Sequence, residues 1–277
     1  MVKGSKLVIA TSSQHGHFAC ESLGFDDFVD ASSGSLSGIY SSETARIEFL
    51  SWFSSALLFT SFEELHKTAA SLKLKPLFWQ KPFPETRIPI HQYHLSLMGA
   101  DALIFDIQVS AQMLREACEM LPGQNYAAIH PGSGSLKKNW PLDRFASLSE
   151  ELKKQGLETV WIKGEADCWD EITVKGKVVY NLPISLLSAV ISRCTVFIGN
   201  DSGPAHLSAA LGIPTVAIFG PSDPQVWSPA GRAVAIVAGH SACTPCHLRT
   251  EPVNCGKECL EKISVEAVLA SVSNLIS

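Results

Sequence analysis

The segment Gly-Asn-Asp-Ser-Gly-Pro-Ala-His at positions 199–206 carries the residue types best suited to chemistry. It follows an apolar stretch that predicts a strand and precedes one that predicts a helix. The free N–H groups of such a helix start, with the Ser202 hydroxyl and with His206 one turn later, can hold a phosphate. Asp201 can accept hydrogen bonds from sugar hydroxyls. The same pattern is typical of a capped helix start with a histidine packed in the core, and spacing alone leaves both interpretations open.

Two further loops offer groups of the same kind. The segment 133–141 combines small residues with the cations Lys137 and Lys138, which suit phosphates, although a solvated loop has the same composition. Glu165 follows another expected strand and can accept hydrogen bonds from ribose hydroxyls, or it is part of an ordinary surface turn. Together these loops suit a nucleotide diphosphate. The sequence has neither a Gly-x-Gly-x-x-Gly fingerprint nor a P-loop, which argues against a dehydrogenase and a P-loop ATPase.

These loops need a sheet to position them, and the second half of the chain alternates between strand and helix patterns. Strands are expected at 126–129, 159–162, 195–198 and 215–219, and helices near Pro141, from a cap at Ser185, and at 204–211. This alternation predicts a parallel sheet covered on both faces. Ligands of such sheets bind beyond the carboxyl ends of the strands, so the loops are expected to share one edge.

The first 120 residues give weaker signals. Strands are expected at 7–10, 27–30 and 57–60, helices at 44–53, 62–72 and 90–98, and a proline-rich loop at 75–89. A turn-rich segment at 121–125 predicts a boundary between domains 1–120 and 121–277.

The composition is that of a globular protein. Of the 277 residues, 46% are apolar and 18% charged, which excludes intrinsic disorder. The formal net charge of −5 argues against nucleic acid as a partner and against a polybasic membrane anchor. Because we find neither a secretion signal nor an apolar stretch of membrane-spanning length, we expect an intracellular protein.

Three segments stand in an informative order. They are Ile-His-Pro-Gly-Ser at 129–133 with Lys-Asn-Trp-Pro at 138–141, Phe-Ile-Gly-Asn-Asp-Ser-Gly-Pro-Ala-His at 197–206, and Gly-Ile-Pro-Thr-Val-Ala-Ile-Phe-Gly at 212–220. In this order they resemble glycosyltransferase family 9, the family of ADP-heptose:lipopolysaccharide heptosyltransferases. The resemblance covers about residues 125–277 and is diffuse over residues 1–120.

The resemblance implies an α/β protein of GT-B architecture, with two Rossmann-like parallel-sheet domains and a cleft between them. It implies an inverting transfer of heptose from ADP-heptose to a sugar of the lipopolysaccharide inner core, without a catalytic metal or other catalytic cofactor. The lipid-linked acceptor implies a cytoplasmic enzyme that is at most peripheral to the inner membrane, at its cytoplasmic face.

The resemblance also implies roles for individual residues. Lys138 and Asp201 are expected to be catalytic, Asp201 facing the donor sugar. The expected nucleotide-sugar-binding residues are Ser133, Lys138, Glu165, Ile184, Asp201, Ser202, Gly203 and His206. Among these, Lys138 and Ser133 would contact the diphosphate, and Glu165 the adenosine ribose. Departing ADP gains negative charge, which Lys138 and the helix start would stabilise.

One motif of the family is not found. Members usually begin with a strand and a Gly-Asp loop whose aspartate is thought to deprotonate the acceptor hydroxyl. This chain opens at what resembles the second strand, so we expect either an N-terminal domain without its first strand–helix unit or another base. His15, His17, Asp26 and Asp27 are candidates by location, although surface histidines are the simpler interpretation of the first two.

Four of the eight cysteines have the spacing C-x2-C-x8-C-x3-C, at Cys243, Cys246, Cys255 and Cys259. Four thiolates at this spacing could hold a structural Zn²⁺, but two disulfides or four free thiols fit as well. The scattered cysteines are expected to be packed as hydrophobes: Cys20, Cys118, Cys168 and Cys194.

Two other functions stay open from the sequence. A catalytically silent or fragmentary member of the family would bind a nucleotide sugar without transferring it. A zinc-ribbon-like interaction protein would use the cysteine segment for partners, a hypothesis weakened by the net acidity of the chain.

Overall fold

A computed structural model of the chain describes residues 6–31, 38–100, 105–171, 174–246 and 255–277. The chain forms two compact units, Met1–Ile104 and Phe105–Ser277. Both combine parallel strands with helices, which confirms the expected α/β class. The second unit begins before the boundary expected at residue 120, because the helix Ala111–Met120 buries Ala117 in the core of that unit.

The described part of the first unit holds two short parallel sheets. In chain order its elements are β1 (Val8–Thr11), α1 (Ser13–Ser22), β2 (Asp27–Asp30), a 3-10 turn (Gly38–Tyr40), α2 (Glu43–Leu50), β3 (Ala56–Phe59), α3 (Glu63–Ser71), β4 (Leu77–Gln80) and α4 (Ile90–Met98). β1 pairs with β2 and β3 with β4. The prediction of a loop over 75–89 is wrong for β4. The strand fits between Pro76 and Pro82, so it contains no residue without a backbone donor.

The second unit is built on one six-stranded parallel sheet. Its strands are β5 (Tyr126–His130), β6 (Glu158–Lys163), β7 (Lys177–Tyr180), β8 (Cys194–Asn200), β9 (Thr215–Phe219) and β10 (Val234–Ala238). Its helices are α5 (Ala111–Met120), α6 (Leu142–Lys154), α7 (Ile184–Ser192), α8 (Gly203–Ala210), α9 (Pro224–Trp227), α10 (Glu258–Glu261) and α11 (Val265–Ile276). The strands lie in the order β10-β9-β8-β5-β6-β7.

This order places a topological switch point between β5 and β8. From β5 the chain proceeds outward through β6 and β7, and it then returns to β8 and proceeds outward in the other direction. Loops that leave two such neighbouring strands diverge to opposite faces of the sheet and leave a crevice at the carboxyl ends. The topology therefore predicts that a ligand binds at the carboxyl ends of β5 and β8.

The sheet is covered on both faces, as its apolar strands predict. All five residues of β9 are buried. Alternate residues of β5 enter separate cores: Ala127 and Ile129 pack with α6 and α11 residues, whereas Ala128 packs with α5 and α7 residues. α7 begins at Ile184 after Pro183, so the prediction of Ser185 as its cap is wrong.

In the part of the chain that the structure describes, no helix combines the length and apolarity needed to cross a membrane.

Candidate active site

The three loops singled out from the sequence leave neighbouring strands at one edge of the sheet. β5 lies between β6 and β8, and His130 at its end is in register with Gly199 of β8. The loops 131–141, 164–169 and 201–203 therefore begin side by side, as the strand–helix alternation predicts.

Asn200, the last residue of β8, fixes the first of these loops. Its side chain is fully buried, Oδ1 accepts the Trp140 N–H at 2.9 Å, and Nδ2 donates to the Pro131 carbonyl at 2.6 Å. Both ends of the loop 131–140 are thus tied to the strand that immediately precedes Asp201. No role for Asn200 follows from the sequence, because nothing local in the sequence indicates contacts of this range.

Lys138 and Asp201, the two predicted catalytic residues, are in direct contact. Lys138 ends a 3-10 turn (Leu136–Lys138), and its Nζ donates to the Asp201 carbonyl and to Oδ2, each at 3.0 Å. The two side chains are 18% and 11% exposed, so the ion pair is mostly removed from water but reachable by a ligand. The structure therefore brings the cation of one loop to the helix start of another.

The start of α8 has no side-chain cap. Ser202 is the N-cap residue, but its hydroxyl makes no capping bond, and the Asp201 carboxylate is directed to Lys138. The interpretation of the segment as a helix start capped by Asp201 or Ser202 is therefore wrong. A methyl group added at Gly203 would meet no atom within 4 Å, so open space adjoins the uncapped N–H groups. His206 lies one turn into α8 and is half-buried.

The remaining predicted binding residues lie in loops or at a helix start of the second unit. The Ser133 hydroxyl contacts the Ser135 carbonyl at 2.8 Å and Asn139 Oδ1 at 2.6 Å, so it stabilises its own loop. Glu165 is exposed in the loop after β6, and Ile184 is half-buried at the first position of α7. Their contacts with a nucleotide sugar stay predictions.

A buried chain of three hydrogen-bonded side chains, not predicted from the sequence, links all three strand ends. Nδ1 of His130 lies 3.1 Å from the Ser202 hydroxyl, and Nε2 lies 3.1 Å from Oδ2 of Asp167. The His130 and Asp167 side chains are 6% and 7% exposed. His130 stood in the His-Pro-Gly segment used for the resemblance, but Asp167 is separated from it by a whole strand–helix unit and gave no signal.

Asp167 is held as a carboxylate. Burial raises its pKa, but hydrogen bonds from His130 and from the Gly164 N–H, together with the positive charge of Lys163, outweigh burial and lower the pKa below its usual value. The carboxylate lies directly over Gly132, where a methyl group would come within 2.5 Å of both carboxylate oxygens. Close approach of Asp167 is therefore the reason for glycine at this position.

The four candidate bases lie in the first unit, and all four are exposed. His15 contacts the Ser12 hydroxyl at 2.5 Å, and the His17 ring packs edge-on against Phe28. Asp26 accepts the Leu7 N–H at 2.6 Å and so holds the start of β1. These contacts agree with surface residues that stabilise β1 and β2, and they single out no base.

The cysteine segment brings together one pair. The sulfur atoms of Cys243 and Cys246 lie 3.8 Å apart, and two thiolates on one tetrahedral zinc are about 3.8 Å apart, so this pair fits two corners of such a site. Hydrogen bonds from Ser241 and Cys246 lower the pKa of the Cys243 thiol, whereas burial raises the pKa of Cys246 to about 11. Outside the gaps at 1–5, 32–37, 101–104, 172–173 and 247–254, no group of three or more His, Cys, Asp or Glu side chains is arranged to hold a metal.

No disulfide joins any of the eight cysteines, all of which lie in the described residues. The zinc site at Cys243, Cys246, Cys255 and Cys259 stays a prediction. Of the scattered cysteines, Cys194 is buried as expected, and burial raises its pKa to about 12. Cys118 and Cys168 are exposed, so the prediction of packed hydrophobes is wrong for them.

Comparisons with known proteins agree with the resemblance. The model of the family described as glycosyltransferase family 9 (heptosyltransferase) matches residues 94–256, more than half of the chain. A lipopolysaccharide heptosyltransferase 3 of Escherichia coli is 29% identical over 55% of this chain and 52% of its own length. The chain spans between about a third and two thirds of the length of the curated relatives that it matches, and 52% of the length of the relative named above.

Two solved structures share the fold. A glycosyl transferase family 9 protein of Veillonella parvula has a TM-score of 0.75 at 20% identity, over 98% of this chain and 88% of its own. The E. coli ADP-heptose lps heptosyltransferase II has a TM-score of 0.72 at 15% identity, over 99% and 90%. These similarities confirm the expected GT-B fold class.

Proposed function

Since the chain belongs to glycosyltransferase family 9, we propose that it transfers heptose from ADP-heptose to a sugar of the lipopolysaccharide inner core. The names of its relatives support this choice of substrates, since they are heptosyltransferases and one is an ADP-heptose enzyme. The lipid-linked acceptor places the reaction at the cytoplasmic face of the inner membrane.

The chemistry that we propose is a single displacement with inversion. The acceptor hydroxyl oxygen bonds to the anomeric carbon while the bond from that carbon to ADP breaks, and the hydroxyl proton passes to a base. Negative charge develops on ADP as it leaves, and positive charge and N–H donors placed at the diphosphate stabilise it.

One observation carries the proposal: the Lys138 ammonium lies at the uncapped start of α8, 3.0 Å from the Asp201 carboxylate. The ammonium, the N–H groups of the first helical turn and the open space beside Gly203 form an anion site without a divalent metal. Asp201 beside them can accept hydrogen bonds from the hydroxyls of the donor sugar, while Glu165 contacts the ribose.

The first test is ADP binding, measured by titration calorimetry on the wild type and on Lys138→Ala. We expect the variant to bind ADP about 10- to 100-fold more weakly, the range for a lost hydrogen bond between charged groups. Lys137→Ala is the matched control, because it removes the same charge from the neighbouring position of the same turn. Equal affinities of the wild type and Lys138→Ala would refute the phosphate contact.

The second test is transfer itself. ADP release from ADP-heptose is measured with a heptose-deficient lipopolysaccharide core as acceptor, in the presence and absence of EDTA. We expect turnover that EDTA does not change and a product of inverted anomeric configuration. Binding of ADP without any transfer would contradict the proposed activity and favour the catalytically silent alternative.

A further inference from the structure

The hydrogen-bonded chain Asp167–His130–Ser202 is buried at the switch point, and neither His130 nor Asp167 has a role in the proposed displacement. Each link is a hydrogen bond of 3.1 Å, and each residue comes from the end of a different strand or the loop that follows it. Asp167 is additionally fixed by the Gly164 N–H at 2.7 Å. A chain fixed this firmly at one end determines how the Ser202 hydroxyl is oriented at the other.

The position of the protons follows from the partners. Asp167 is ionised and can only accept, so Nε2 of His130 carries a hydrogen. If the imidazole is neutral, Nδ1 is an acceptor and the Ser202 hydroxyl hydrogen points at His130. If the imidazole is protonated, Nδ1–H donates to the Ser202 oxygen, and the hydroxyl hydrogen is free to point away from the ring. Only in the second state can Ser202 donate to a phosphate oxygen and keep its hydrogen bond with His130.

We propose that His130 is a positioning residue for the diphosphate: it binds a proton when the nucleotide binds and thereby turns the Ser202 hydroxyl hydrogen toward a phosphate oxygen. This inference rests on the proposed function, since a nucleoside diphosphate is its ligand. His130 itself touches no reacting atom and acts through Ser202.

The charges around His130 set the direction of this change. The Asp167 carboxylate faces Nε2 and favours the imidazolium. The positive charge of Lys163 in β6 acts on the same carboxylate and partly offsets its negative charge. On the other side, the Lys138–Asp201 pair adjoins Ser202, and His206 lies on α8. A diphosphate adds negative charge beside Ser202 and so favours the protonated ring.

The test is the number of protons taken up with ADP. Calorimetric titrations at pH 8, where phosphate groups with a second pKa of about 6 are ionised, are repeated in buffers of different ionisation enthalpy. We expect the apparent binding enthalpy of the wild type to vary with the buffer in the sense of proton uptake. His130→Asn keeps an amide donor near the place of Nδ1 but cannot titrate, so it should bind ADP within about threefold of the wild type without uptake.

Two further variants separate this role from a structural one. His130→Ala removes donor and proton together and should weaken ADP binding about tenfold, the loss of roughly one hydrogen bond. Ser202→Ala keeps the His130–Asp167 pair and removes no helix cap, so it should fold and show the same tenfold loss. In the Ser202→Ala background, His130→Asn should have no further effect, because the hydroxyl it orients is absent.

The outcomes are distinguishable. Buffer-independent enthalpies of the wild type would overturn the inference, as would uptake that persists in His130→Asn or disappears in His206→Gln instead. If Ser202→Ala bound ADP as tightly as the wild type, the inference would also be overturned, whatever the His130 variants show. A wild type that binds no ADP would overturn the proposed function together with the inference.

Discussion

The substitution Gly132→Ala tests whether the buried network at the switch point is built as described. The new methyl group would come within 2.5 Å of both oxygens of the Asp167 carboxylate, a distance that no real contact tolerates. Asp167 is buried and bonded to His130 and to the Gly164 N–H, so it cannot move without breaking these bonds.

The expected cost follows from those two hydrogen bonds. Each involves a charged acceptor and is worth about 1.5–3 kcal/mol, and partial relaxation recovers part of the sum. We expect Gly132→Ala to lower the free energy of unfolding of the second unit by about 2–4 kcal/mol. Gly134→Ala is the matched control in the same loop, since its methyl group meets no atom within 4 Å; its effect should stay below about 0.5 kcal/mol.

Urea unfolding followed by tryptophan fluorescence measures this, because the fully buried Trp140 and Trp161 both lie in the second unit. A double-mutant cycle then assigns the cost to Asp167. In the Asp167→Ala background the obstacle is gone, and Gly132→Ala should cost less than about 0.5 kcal/mol. Equal costs in both backgrounds, or a harmless Gly132→Ala, would refute the described placement of the carboxylate.

Three other predictions follow from the same geometry. Asp201→Asn should tighten ADP binding a few-fold, because it removes a carboxylate from beside the phosphate site, and should still reduce heptose transfer; weaker ADP binding would contradict this. The pKa of Asp167 is lower in the folded than in the unfolded protein, so its ionised carboxylate stabilises the fold fully above the unfolded pKa of about 3.9, and this stabilisation is lost as pH falls through the folded pKa. The difference in free energy of unfolding between the wild type and Asp167→Asn should therefore shrink below about pH 4. A difference that does not change with pH would contradict this. If the cysteine segment holds zinc, elemental analysis should find about one equivalent in the wild type and in Cys20→Ser but none in Cys243→Ser; less than about a tenth of an equivalent in the wild type would end the idea.

The sequence predicts best those elements whose signals are local. The strands 27–30 and 215–219 have the predicted bounds, and the loops after β5, β6 and β8 lie where strand–helix alternation places them. Lys138 and Asp201 were singled out together by the family resemblance, and each stands in a loop that follows a strand.

What the sequence did not predict depends on contacts between distant residues. Asn200 and His130 bond to groups 60 to 72 residues away, and these partners meet only when β5 and β8 pair in one register. β4 was missed for a different reason: prolines on both sides make its surroundings resemble a loop, although none lies within the strand. Neither periodicity nor composition contains this information.

The hydrogen bonds of Asn200 and those of Lys138 at the switch point have different roles. Asn200 is fully buried, and its amide is bonded to the loop that it fixes, which makes it a structural residue. Lys138 has three N–H donors, and the described contacts direct two of them to Asp201. One donor is therefore left for a phosphate oxygen of the proposed complex, while the ion pair keeps the ammonium at the start of α8. The ion pair thereby fixes the cation beside the first-turn N–H groups, and these are the two features on which the proposed diphosphate site depends.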